Sequence, residues 1–274
     1  MQDEIRTLPQ KLLMGRRALV TGAGRGIGRE IARQMALEGA DVIINARKEP
    51  ELLTLREEIT AMGQKCQIVL GDICTPETAE KFAAAAEEWG GLDILVNNAG
   101  ILDRDGTLQT TPETFDHIIQ VNLVSVFRIT QKLLQALCES KGCIVNITSS
   151  ASRAPHPNAN PAYGASKAGL TALTRQWALE FAPQGVRINA VQCGPIETDM
   201  SQSWTPEYRE KVMSAVPYLI IAYMSFSFPE FMSCLYGNLI GIGVMTICLS
   251  VYMGACALGE KLIHIGTTDC RDRK

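Results

Sequence analysis

Tyr163 and Lys167 stand four residues apart in the stretch Tyr163-Gly164-Ala165-Ser166-Lys167. On a helix that spacing puts both side chains on one face. A free tyrosine hydroxyl holds its proton to a pKa of about 10. A neighbouring ammonium favours the phenolate and lowers that value. Such a pair can give a proton to a carbonyl oxygen during reduction, or take one from an alcohol in the reverse direction. A serine ahead of the pair can hydrogen-bond the same oxygen. Taken alone, the motif is equally well a half-exposed Tyr beside a solvated Lys.

A second group lies near the start of the chain. Thr21-Gly22-Ala23-Gly24-Arg25-Gly26-Ile27-Gly28 separates an apolar run from a helical one. Glycines there allow a tight turn and let backbone N–H groups approach a pyrophosphate, with the helix N-terminus adding favourable charge. An acid at the end of the second strand would bond a ribose 2′-OH and mark NAD. Asn45-Ala46-Arg47-Lys48 offers none. Arg47 and Arg25 suit a 2′-phosphate instead, so NADP(H) is favoured over NAD(H). Asp72 can accept from an adenine amino group or simply form a turn. The asparagines of Asn97-Asn98-Ala99-Gly100 can hold strand ends and a cofactor ribose, or make an Asx turn.

These residues need a frame that brings them together. Residues 17–217 alternate short apolar runs with helical stretches. Strands are expected at RALVTG, ADVIINAR, CQIVLGD, LDILVNNAG, CIVNITSS and VRINAVQCG. Helices are expected between them, with Gly39 and Gly63 as stops and Thr75 as a cap before Pro76. The stretch from Thr111 to Gly142 reads as one long helix, or two merged. Near-continuous apolar strands joined by helices imply an α/β fold, a Rossmann-like doubly wound parallel sheet with helices on both faces.

Composition fits one large α/β domain. Of 274 residues 46% are hydrophobic and 20% charged, which excludes disorder and a multi-span membrane protein. The net charge of -3 and scattered Lys and Arg exclude a nucleic-acid stripe. The nine cysteines form no zinc pattern, His117, His156 and His264 are dispersed, and no metal is expected. With no apolar leader near the N-terminus, a cytoplasmic location is expected.

TGAGRGIG, NNAG, Asn122 in Val121-Asn122-Leu123, a Ser after the fifth strand and YGASK follow in order. That conjunction resembles the short-chain dehydrogenase/reductase family over residues 15–217, and most resembles its 3-oxoacyl-carrier-protein reductases. The resemblance implies an NADP-dependent oxidoreductase moving a hydride between nicotinamide and a carbonyl or hydroxyl carbon. Tyr163 would be the acid/base. Lys167 would lower its pKa and bind the nicotinamide ribose, and Asn122 would hold a water. Strand register points to Ser149 as the serine, while Ser150 lies one residue nearer Tyr163; Ser149 is taken. Gly22, Gly26 and Gly28, with Arg25 and Ile27, would form the phosphate turn. Asp72 and Ile73 would flank adenine, Asn98 would sit over the cofactor, and Ile196 and Thr198 would touch its nicotinamide or phosphate side. The substrate would be a small-molecule or acyl-thioester carbonyl. A sugar or alcohol dehydrogenase of the same family is the alternative.

The pattern is broken twice. Cys193 stands where the family usually has proline. From Tyr218 to Leu258 the only charge is Glu230, and no Asp-Gly-Gly ending follows. As a helix the uncharged run Phe231–Leu258 would be about 42 Å long, enough for a membrane's core of about 30 Å. Membrane association is not favoured over buried core or a changed reading frame near residue 217. Residues 1–217 are therefore read as the dinucleotide-binding and catalytic domain and 218–274 as an atypical apolar segment. A homo-oligomer is expected if that segment folds. A catalytically impaired cofactor-binding protein is expected if it does not.

Overall fold

A computed structural model describes residues 11–155, 159–196, 198, 204–207 and 209–210. The segment 218–274, its uncharged run and the boundary after residue 217 lie outside the described residues. Among the described residues six strands form one sheet: β1 Arg17–Val20, β2 Asp41–Ala46, β3 Cys66–Leu70, β4 Ile94–Asn97, β5 Cys143–Ser149 and β6 Arg187–Cys193. Their order is β3-β2-β1-β4-β5-β6, every pair parallel. The chain builds outward from β1 to β3, then returns so that β4 pairs with the other side of β1. This reversal opens a crevice beyond the carboxyl ends of β1 and β4, the place where open α/β sheets bind ligands.

Helices cover both faces, as the unbroken apolar strands require. On one face lie α1 Gly26–Leu37 and α2 Glu49–Ala61, packing Ala32, Ala36, Leu52, Leu55 and Ile59 against Val20 and Ile44. On the other lie α3 Pro76–Glu88, α5 Ser125–Glu139 and α6 Pro161–Phe181, packing Phe82, Ile129, Leu133 and Leu170 against Leu19 and Ile144. Phe82 is fully buried, and burial of a side chain that size contributes about 1.5–3 kcal/mol.

One local expectation is resolved, as two merged helices, and one changes. The stretch from Thr111 to Gly142 is α4 Pro112–Ile119 running into a single π turn, Gln120–Val124, and then α5. Thr111 caps α4 by accepting from the Thr114 N–H at 3.2 Å. Thr75 sits at the start of α3 but does not cap it with its side chain. Its hydroxyl donates back to the Asp72 carbonyl at 2.9 Å, closing the turn after β3 instead. No helix among the described residues is long and apolar enough to cross a membrane.

Candidate active site

The glycine turn after β1 is held open by close packing. Gly22 has φ +66°, which a side chain rarely adopts, and a Cβ there would lie 2.8 Å from the Ala99 Cα. A Cβ on Gly28 would strike the Gly22 carbonyl and the Asn98 amide. Glycine is therefore needed at both positions so that the first turn of α1 can lie against the end of β4. Asn98 fixes this junction: its Nδ2 donates to the carbonyls of Thr21 at 2.9 Å and Gly22 at 3.1 Å. The Thr21 hydroxyl in turn accepts from the Asn98 and Ala99 N–H groups. No side chain caps α1 and no acid stands in its first turn, which suits an anion at that helix N-terminus. Gly26 has φ +56°, and the Thr198 side chain lies 3.6 Å from where its Cβ would be.

The other expected cofactor residues ring the same edge. Arg25 is exposed and immediately precedes α1; Ile27 is half-buried in its first turn; Arg47 is exposed just beyond β2. Asp72 accepts from the Cys74 N–H at 2.9 Å through one oxygen, which makes an Asx turn. Ile73 follows it, with its side chain buried among the core residues. Ile196 is half-exposed after β6. One acid reaches this edge from beyond the strand end. A Cβ on Gly24 would lie 2.5 Å from the Glu51 Oε2, and Lys48 is 3.7 Å from that carboxylate's other oxygen. The sequence reading did not single it out; its i,i+3 spacing from Lys48 is a signal that could have marked it.

Tyr163 and Lys167 lie in the first turns of α6, whose start is capped by Asn160 accepting from the Ala162 N–H at 2.8 Å. The Lys167 ammonium is buried, 5.9 Å from the centre of the Tyr163 ring, and donates to the Ile147 carbonyl at 2.8 Å. Burial drives its pKa down to about 8. The Tyr163 phenol moves the other way from expectation: burial raises its pKa, and a hydrogen bond with Ser149 opposes the rise only in part. Ser149 is buried at the end of β5, whereas Ser150 is exposed in the turn that follows. Cys193 lies opposite Ser149 in the β5–β6 pairing, and burial raises its pKa against a nearby Lys167.

Asn122 occupies the π turn and is fully buried. Its Oδ1 accepts from the Ile101 N–H at 2.8 Å, and its Nδ2 donates to the Ile101 carbonyl at 2.9 Å and the Ser166 hydroxyl at 3.1 Å. A Cβ on Gly100 would lie 3.2 Å from that Oδ1 and 3.3 Å from the Lys167 Nζ. Ser149, Tyr163, Lys167 and Asn122 thus converge at the carboxyl ends of β4 and β5, beside the glycine turn. The cradle at Gly22 and Gly28 and the uncapped helix start fit a dinucleotide. Among the described residues no cluster of His, Cys, Asp or Glu is placed to hold a metal ion.

A parallel sheet reversing beside a glycine turn, with a Tyr–Lys pair on a flanking helix, defines a nucleotide-dependent oxidoreductase of the Rossmann type. Residues 16–209 match the short chain dehydrogenase family, and the chain belongs to it. Over 208 residues it is 36% identical to the 3-oxoacyl-[acyl-carrier-protein] reductase FabG of Staphylococcus epidermidis, covering 74% of this chain and 84% of that protein. A 3-oxoacyl-[acyl-carrier protein] reductase from Brucella melitensis superposes with a TM-score of 0.68 at 27% identity, over 77% of this chain and 82% of that one. A short chain dehydrogenase from Burkholderia cenocepacia, solved in complex with NADP, superposes with a TM-score of 0.68 at 35% identity, over 72% and 81%.

Proposed function

We propose that the protein is an NADPH-dependent carbonyl reductase whose substrate is a 3-oxoacyl thioester. One observation carries the reaction: the Tyr163 phenol lies beside the buried Lys167 ammonium, which is 5.9 Å from its ring centre, with Ser149 buried at the end of the neighbouring strand. A phenol with its ordinary pKa of about 10 already holds its proton at neutral pH, which is the form a general acid for carbonyl reduction must have.

When bound, the nicotinamide supplies the hydride. Ser149 holds the substrate oxygen, and Tyr163 gives its phenolic proton to that oxygen as the alcohol forms. Lys167 stabilises the phenolate left behind, its charge favoured below its pKa of about 8. Asn122, with both amide hydrogens already committed, keeps a lone pair on Oδ1 for a water on the path that returns a proton to Tyr163. Gly22, Gly26, Ile27 and Gly28 cradle the pyrophosphate, Asp72 reads adenine, Asn98 shapes the cradle, and Ile196 and Thr198 border the nicotinamide side. Arg25 and Arg47 face the adenosine 2′-phosphate. The thioester reading rests on the two named reductases to which the chain is similar.

Turnover of a panel of 3-oxoacyl thioesters, sugars and ketones with NADPH tests this directly. The thioesters are expected to react fastest. Tyr163→Phe is expected to lower kcat by about 10²–10⁴-fold while NADPH affinity, read by cofactor fluorescence, is unchanged. Persistent turnover in that variant would remove Tyr163 from the role, and a preference for sugars would replace the thioester by the alternative substrate class.

A further inference from the structure

The catalytic tyrosine is gripped by its own peptide groups, and both grips lead to one loop. The Tyr163 N–H donates to the Asn160 carbonyl at 2.9 Å. The Tyr163 carbonyl accepts from the Ser166 hydroxyl at 2.8 Å. Ser166 is the residue to which Asn122 donates while it also holds the peptide of Ile101. Asn160 is itself 1% exposed and uses every polar atom it has. Its N–H donates to the Asp103 carbonyl at 2.8 Å. Its Oδ1 caps α6, and its Nδ2 donates to the Thr110 hydroxyl at 2.7 Å. Thr110 in turn donates to the Gly106 carbonyl at 2.8 Å.

The segment from Ile101 to Thr110 connects β4 to α4, and its centre is exposed, with Leu108 94% accessible. It is thus tied at one end through Asn122 and Ser166 and at the other through Asn160, and both ties end on the backbone of Tyr163. A helix cap needs only the Asn160 Oδ1. The bonds to Asp103 and Thr110 serve no cap, and a buried amide that reaches across two loops fixes one against the other.

Resting on the reductase reading above, we propose that Asn160 is a positioning residue that couples the Ile101–Thr110 loop to Tyr163, so that the loop's position sets the phenol's aim. Displacing a reacting group by about 1 Å costs on the order of a hundredfold in rate, so a loosened coupling lowers kcat rather than cofactor binding.

Two substitutions separate coupling from capping. Asn160→Ser keeps a capping oxygen for the Ala162 N–H. It removes the amide donor to Thr110, and its shorter side chain offers that hydroxyl no acceptor in its place. Thr110→Val removes the same bond from the loop side, and Thr110→Ser restores it. In the full-length protein with NADPH and acetoacetyl-coenzyme A, each disrupting variant is expected to lower kcat about tenfold with the NADPH dissociation constant unchanged; Tm is expected to fall by a few degrees in Thr110→Val, which leaves the buried Asn160 amide without its acceptor. The double variant is expected to be no worse than either single one, because both remove one interaction. Thr110→Ser is expected to match the parent. Amide exchange in residues 103–110 is expected to speed up while α6 stays protected. Wild-type kcat in either single variant, additive losses in the double one, or unchanged loop exchange would overturn the proposal. If the parent turns over no carbonyl at all, the reductase reading fails and the exchange measurement alone decides the coupling.

Discussion

Glu51 shows how a single carboxylate can shape a choice of cofactor. It stands in the first turn of α2, yet its Oε2 lies against Gly24, between Arg25 and the strand end at Arg47 that would receive a 2′-phosphate. A negative group there opposes a phosphate dianion and tolerates a hydroxyl. Glu51→Gln is therefore expected to tighten NADPH binding roughly fivefold and leave NADH nearly unchanged, the difference shrinking as salt rises; equilibrium titration of both cofactors reads it. The acid was not legible at the end of β2 because proximity to the ribose corner is made by the β2–α2 turn, not by adjacency in the chain. Lys167 is similar. Its spacing from Tyr163 was legible, but its bond to the Ile147 carbonyl and its depressed pKa depend on burial that no four-residue motif encodes.

At the level of elements, the strands and most helices were legible because a two-sided parallel sheet demands apolar runs, and glycines such as Gly39 and Gly63 end the helices between them. The π turn was not: Gln120–Val124 continues the apolar periodicity of α4 and α5, so nothing marks the wider turn that brings Asn122 to Ile101. A polar seam also runs beneath the site. Asn97 on β4 donates to Asn146 on β5 at 2.8 Å, and Asn146 donates to Thr174 on α6 at 2.9 Å. Thr174 lies two turns beyond Lys167, so the seam fixes how α6 is rotated on the sheet. Asn146→Ala would remove both buried bonds of the seam, leaving Asn97 only its bond to Thr130 and Thr174 only its bond to the Leu170 carbonyl, and is expected to cost about 1–3 kcal/mol, measured as a lower urea midpoint with an unchanged slope.

On the scale of the whole molecule, the cofactor cradle joins elements far apart in sequence, from Gly22 after β1 to Asn98 after β4. A ligand bound across them stabilises the native state by about 2.7 kcal/mol at a hundred times its dissociation constant. For a chain this size that corresponds to a rise in Tm of roughly 5–10 °C. NADPH is expected to produce it in a thermal scan and NADH a smaller one; equal shifts would count against the preference for the phosphorylated cofactor. The sheet order itself was legible only as a class, since strand–helix alternation implies parallel pairing but not which strand returns to β1.

That return has a consequence for synthesis. The glycine turn is made early, but Asn98, whose amide closes it, emerges only after β4 has been translated. Tyr163 and Lys167 come later still. On the ribosome the residues that wall the nucleotide cradle are therefore all synthesised before the tyrosine and lysine proposed to use it.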